Sequence, residues 1–181
     1  MLLTPGPTPV PEFVRKAMSD ITIHHRTEEF EAIFKNTREL LIEIYDMPEV
    51  VMLASSGTGA MEACVTNLTH KKALTINSGK FGERFGKICA AFGIDYTEIK
   101  NEWNTPVSVE AVINAIKADS SIDAVFIQIC ESAGGLRHPV EQIAAEVKKI
   151  NKDIMIIADG ITALGVEKID TTNLDAVVTG S

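Results

Sequence analysis

The sequence predicts an α/β domain built on a mostly parallel sheet flanked by helices. Two observations predict it. Short, continuous apolar runs recur at 50–54, 73–76, 124–129, 154–158 and 176–178. Runs of that length suit strands covered on both faces, as in parallel sheets. Segments with helical spacing lie between several of them, at 60–68, 83–92, 109–118 and 140–150. Alternation of the two kinds marks an α/β architecture. No internal repeat, low-complexity tract or internal linker interrupts the pattern.

The chain opens with a stretch that cannot be helical in its interior. Pro5, Pro7, Pro9 and Pro11 surround Gly6 over residues 2–11, and each proline fixes its own φ and pushes the preceding residue toward extended backbone. In isolation residues 1–25 read as an N-terminal arm, and 26–181 as the main domain. His24 and His25 are either an anion contact or a plain polar loop, with the loop favoured. From Thr27 the pattern turns helical. Phe30, Ile33, Phe34, Thr37, Leu41 and Ile44 fall near helical spacing. Thr27 is the expected N-cap, with Glu28 and Glu29 in the first turn, and the helix should run to about Tyr45.

Composition narrows the function. Of 181 residues 45% are hydrophobic and 23% charged, which excludes a disordered or collagen-like chain. A chain of this length should bury about 70% of its unfolded surface. The net charge of −8 repels polyphosphate backbones, so nucleic acid is not an expected partner. No apolar run is long enough to cross a bilayer, and the N-terminus lacks the pattern of a secretory signal. Cys64, Cys89 and Cys130 are widely spaced and form no CxxC pair. They read as buried reduced thiols of a cytoplasmic protein rather than as a zinc site or disulfide framework.

The polar residues that follow the apolar runs are more informative. They are Ser55, Ser56 and Gly57; Asn77, Ser78 and Gly79; Glu131 and Ser132; Asp159 and Gly160; Thr179, Gly180 and Ser181. Open parallel sheets bind ligands beyond the carboxyl ends of their strands. Clusters at five such ends describe one site drawn from distant parts of the chain.

Two readings fit the first cluster, which continues Thr58, Gly59, Ala60, Met61, Glu62. Glycines let backbone N–H groups close on a phosphate at a helix N-terminus; alternatively the segment is a capped tight turn. It is not a P-loop, because no Lys follows the second Gly, nor a dinucleotide fingerprint, because Glu62 stands where Gly is needed. Asp159 ends a buried-type run, where a carboxylate is costly without a cationic partner. A protonated pyridinium nitrogen would be such a partner, and a turn-capping role is the alternative. Phe81, between Gly79 and Gly82, either lies flat on a planar ring or is a core aromatic. No metal site is expected, since carboxylates are few and no His has ligand spacing.

Taken together these segments resemble the class V aminotransferases of fold type I, which use pyridoxal 5′-phosphate (PLP). The branch most similar is that of the alanine–glyoxylate and serine–pyruvate aminotransferases and related purine-catabolic enzymes. The resemblance rests on Thr4 to Thr8, on His25 to Phe30, on Ser56 to Glu62, on Gly79 to Arg84, and on Asp159 to Gly165. In the last block Thr162 and Ala163 replace the family's two serines. It implies the large domain of the PLP-transferase fold and amino transfer from an alanine- or serine-type donor to a glyoxylate- or pyruvate-type acceptor, in a cytoplasmic homodimer. It implies that Ser56, Gly57 and Thr58 hold the cofactor phosphate and that Phe81 stacks on the ring. Ser132 would bond the ring-hydroxyl region, Asp159 would pair with the ring nitrogen, and Gly6 would approach the substrate.

Two departures qualify the resemblance. The segment Cys130, Glu131, Ser132, Ala133, Gly134, Gly135 lacks two hydroxyls that relatives carry. In relatives, Thr-Gly-Ser is followed by Gln-Lys, whose Lys forms the Schiff base, whereas here Thr179, Gly180 and Ser181 end the sequence. Lys80 and Lys168 are not substitutes. The expectation is therefore an N-terminal half, truncated before the PLP lysine and inactive alone. The alternatives are a non-catalytic binding or assembly domain, or a member with lyase or desulfurase chemistry.

Overall fold

The computed structural model describes residues 8–180. Gly6, expected to approach the substrate, lies outside the described residues, as does Ser181. The chain divides into two compact units, one ending at Met52 and one starting at Leu53.

The first unit holds α1 (Glu12–Met18) and α2 (Glu28–Tyr45). Thr27 caps α2 as its sequence predicts: its side chain accepts the Phe30 N–H at 3.3 Å, with Glu28, Glu29 and Glu31 in the first turn. Asp46 ends the helix in the left-handed region, with φ of 50°. Arg38 then closes a two-pronged pair on Glu49, its Nε lying 2.6 Å from Oε1.

In the second unit α3 (Gly57–Leu68) precedes β1 (Lys72–Asn77), α4 (Gly82–Phe92), β2 (Tyr96–Lys100), α5 (Val109–Ala118) and β3 (Ile122–Gln128). A short hairpin follows, β4 (Cys130–Glu131) with β5 (Leu136–Arg137). The unit ends with α6 (Val140–Ile150), β6 (Met155–Asp159) and β7 (Ala176–Val178). The main sheet is parallel throughout, in the order β2-β1-β3-β6-β7.

Strand side chains alternate between faces, and both faces are covered. On one, Ala124 and Phe126 of β3 pack with Met61 and Val65 of α3 and with Phe85, Ile88 and Cys89 of α4. On the other, Val125 and Ile127 meet Val112 and Ile116 of α5 and Ile143, Ala144 and Val147 of α6. That double burial is why these strands read as unbroken apolar runs.

Two sequence expectations need correction. Residues 50–54 form no strand, and Val51 and Leu53 are exposed. An apolar run becomes a strand only when a neighbour takes up its N–H and C=O groups, and among the described residues none pairs with this one. The Ser55–Gly57 cluster therefore follows coil and opens α3, while the remaining clusters do follow sheet strands. Conversely, β2 is a strand whose alternating polar sequence, Tyr-Thr-Glu-Ile-Lys, hid it. It lies at one edge of the sheet, where among the described residues one side has no neighbouring strand.

Strand order places the site. From β1 the chain moves outward through α4 to β2, then returns across β1 through α5 to β3. Because the winding direction reverses between β1 and β3, their carboxyl ends splay into a crevice.

Candidate functional site

The crevice is bridged by a carboxylate. Glu131, just past β3, is 0% exposed. Its Oε2 accepts the N–H groups of Phe81 and Gly82 at 2.9 and 2.8 Å, and its Oε1 accepts the Ala133 N–H at 3.2 Å. A buried charge is tolerable when several donors meet it. Gly79 is required here: a Cβ on it would lie 2.6 Å from Glu131 Cγ and Cδ.

The same contacts immobilise Phe81. Its carbonyl accepts from the Arg84 N–H at 3.1 Å and from Gln128 Nε2 at 3.0 Å. Both polar backbone atoms of Phe81 are thus engaged, and its half-buried ring is carried on a fixed turn. Beside it Ser78 is also tied down, its Oγ accepting from Asn101 Nδ2 at 3.0 Å.

Asp159 ends β6 opposite Gln128 in the ladder and is 5% exposed. Its Oδ1 accepts the Ile161 N–H at 3.0 Å. Burial pushes its carboxyl up to about 6; the Ile161 bond opposes this, the Glu131 charge adds to it, and the Arg84 charge opposes it. A carboxyl so placed has an unusual affinity for a proton or a cation.

The N-terminus of α3 supplies donors. Ser56 is the N-cap residue with extended backbone, yet its side chain makes no capping bond, and the first helical bond runs from Ala60 N to Ser56 O at 3.2 Å. The opening N–H groups of a helix have no intrahelical partner. Gly59 allows the turn to close: a Cβ there would sit 2.0 Å from Ser55 Oγ. Thr58 Oγ1 accepts from Arg84 Nη1 at 2.8 Å, and the Arg84 guanidinium lies 5.0 Å from the Phe81 ring centroid. The turn also borders β6 and β7: a Cβ on Gly57 would meet Ile161 Cδ1 at 2.2 Å, and one on Gly180 would meet Gly57 N at 3.4 Å.

The structure therefore brings the 56–58 turn, Phe81 and Asp159 to one edge of the sheet, linked through Arg84 and Glu131. Ser132 is half-buried in the β4–β5 turn next to Glu131, and among the described residues no hydrogen bond ties its side chain to the others. His24 and His25, in the first unit, are exposed and stack on each other at 4.6 Å. Lys80 and Lys168 are exposed. Gln128 was missed as a site residue, and Glu131 and Arg84, though they stand in segments the sequence singled out, were given no role. The logic that singles out Asp159, a carboxylate closing an apolar run, applies equally to Glu131.

These residues fit PLP by the chemistry of their donor sets. Free N–H groups and hydroxyls at a helix start suit a phosphate, a fixed aromatic suits a flat ring, and a buried carboxyl of raised proton affinity suits a protonated ring nitrogen. Among the described residues no cluster of His, Cys, Asp and Glu could hold a metal ion.

The model of the aminotransferase class-V family matches residues 2–181. An uncharacterised aminotransferase of Helicobacter pylori (strain J99) is 51% identical over 181 residues, which are 100% of this chain and 49% of that protein. A 2-aminoethylphosphonate–pyruvate transaminase of Pseudomonas fluorescens is 30% identical, over 100% of this chain and 50% of its own. The crystal structure of an aspartate aminotransferase of subgroup IV from Thermus thermophilus superposes with a TM-score of 0.89 at 30% identity, over 99% of this chain and 51% of that one. The chain spans about half the length of the curated relatives it matches. A family match over residues 2–181, on a shared fold, leads to one conclusion: the chain belongs to the class V aminotransferases.

Proposed function

We propose that this chain carries the cofactor-binding part of a PLP-dependent aminotransferase. The whole enzyme would move an amino group from a small amino acid to a 2-oxo acid. The observation that carries the reading is Asp159: a carboxyl 5% exposed, at the carboxyl end of a central strand, with its proton affinity raised to about 6. Such a group favours a cationic neighbour, and a protonated heteroaromatic nitrogen is one of the right size and shape.

When bound, the coenzyme supplies an electron sink for the substrate carbon that loses its proton. This chain's residues prepare the site for it. Ser56, Gly57 and Thr58 offer hydroxyl and N–H donors to the phosphate. Phe81 sets the plane of the ring, held by Glu131 and Gln128. Asp159 would face the ring nitrogen, where its carboxylate would favour the protonated form. Ser132 is the candidate contact for the ring hydroxyl, and Gly6 for the substrate. The Schiff-base lysine, expected beyond Ser181, would anchor the coenzyme and shuttle the proton. Pyruvate, which stands in the name of the Pseudomonas transaminase, supports a small 2-oxo acid as one substrate.

The test is titration of the purified chain with PLP, followed by induced circular dichroism in the coenzyme band. The expected result is binding that dialysis reverses and borohydride does not trap, with no amino transfer from alanine to glyoxylate. Asp159→Ala should abolish the signal. An unchanged signal in that variant, or none in the wild type, would sink the reading.

A further inference from the structure

We infer that Arg84 is a positioning residue that turns the Thr58 hydroxyl into a committed phosphate donor while holding the Phe81 ring face. The inference rests on the PLP reading and assigns a role to a residue that reading leaves idle.

The argument begins with donor counting. A guanidinium carries only donors, and a threonine hydroxyl carries one donor and two acceptor sites. Arg84 Nη1 donates to Thr58 Oγ1 at 2.8 Å, so that oxygen spends an acceptor site on Arg84. Its own proton has nothing to bond on that side and is driven to point elsewhere. Thr58 is the second residue of α3, where backbone N–H groups are also without intrahelical partners. Hydroxyl and amide protons are therefore offered together to an acceptor-rich group. A free threonine hydroxyl would rotate among its rotamers; one that accepts a charged hydrogen bond is polarised as a donor.

Geometry ties the two ends of the site through the same side chain. Arg84 stands in the first turn of α4, and its guanidinium lies 5.0 Å from the Phe81 centroid. One planar group thus contacts the residue at the anion end and the aromatic at the ring end. Its charge also opposes the rise in the Asp159 proton affinity. A lysine could carry the charge but not the planar fork, so it could not bond Thr58 and cover the ring at once.

A purely structural staple between α3 and α4 predicts something different, which makes the role testable. The purified chain is titrated with PLP and with pyridoxal, which lacks the phosphate, and the ratio of the two affinities is compared among variants. Arg84→Met should lower that ratio about tenfold, the size of one charge-assisted bond. Thr58→Val should do the same. The double variant should lose little more than either alone, because both act through one hydroxyl. Arg84→Lys should also lower the ratio. Thermal melting of each variant reports folding separately.

An unchanged ratio in Arg84→Met, an additive loss in the double variant, or a full ratio in Arg84→Lys would overturn the assignment. A wild-type chain that binds PLP while these variants keep its phosphate preference sinks this inference alone. A wild type that binds neither probe sinks the PLP reading, and the assignment falls with it.

Discussion

Glu131 receives the backbone N–H groups of Phe81 and Gly82 on a single carboxylate oxygen, from fifty and forty-nine residues away in sequence. A side chain thereby does what a neighbouring strand would otherwise do. It satisfies the polar backbone of a turn lodged between two splayed strands, and it sets where the Phe81 ring stands. Glu131→Ala leaves these donors, and that of Ala133, without their acceptor. The expected loss is about 3 kcal/mol of unfolding free energy, read from urea denaturation. Glu131→Gln keeps one acceptor oxygen and should lose about half as much. A loss under about 0.5 kcal/mol in the alanine variant would show that the turn holds itself.

The clamp also bears on Asp159. Glu131 contributes negative charge that raises the Asp159 carboxyl. In Glu131→Gln that contribution is gone, and the Asp159 titration, followed by carboxyl NMR, should move downward from about 6. An upward move would mean that changed burial outweighs the lost charge.

Between the sheet and its α3–α4 layer lies an aromatic pair. Phe126 and Phe85 are both fully buried, with ring centroids 5.1 Å apart and planes tilted by 43°. Phe126→Ala empties the middle of that layer and should cost about 3–5 kcal/mol. Phe126→Leu refills most of the volume and should cost about 1.5 kcal/mol or less. Equal losses for the two would mean that volume is not what the ring provides.

What the sequence disclosed follows from what each element is made of. The start of helix α2 was readable because Thr27 is a side-chain cap, and its end, expected at about Tyr45, falls there. β1, β3, β6 and β7 were readable because burial on both faces leaves an unbroken apolar signature. The 50–54 run misled because composition records the wish for burial and not the presence of a partner strand. β2 was missed because its half-covered strand mixes polar and apolar side chains, Tyr-Thr-Glu-Ile-Lys, and leaves no apolar run. In the site, Asp159, Phe81 and the 56–58 turn were picked out by position after an apolar run. Glu131 fell in such a cluster but received no role, and Arg84 was not picked out, because what each does depends on pairings with distant residues, which no local pattern encodes.

Two buried groups give the chain an unusual acid response. Burial, with a further push from Glu131, raises Asp159 from 3.8 to about 6. Native Asp159 therefore keeps a proton that the unfolded chain has lost, and its contribution to stability is full below 3.8 and disappears as pH rises to about 6. His138 is the reverse. It is 1% exposed, its Nδ1 accepts the Val107 N–H at 3.2 Å, and burial, followed by the Arg137 charge, lowers it from 6.5 to about 4. The unfolded chain takes a proton that native His138 refuses, so this contribution is full above 6.5 and disappears as pH falls to about 4. Each slope is at most about 1.4 kcal/mol per pH unit. Between about pH 4 and 6 they oppose each other, and the wild-type stability contributed by these groups should be nearly flat there. Asp159→Asn should unmask the histidine, giving a stability that rises by about 1–3 kcal/mol across that window. His138→Asn, whose side-chain oxygen can still accept the Val107 N–H, should unmask the aspartate and give a fall of similar size. Urea denaturation of the three proteins at half-unit steps of pH reads both slopes. If the two variants tilt in the same direction, at least one of these groups titrates in the native protein as it does in the unfolded chain, and the compensation does not exist.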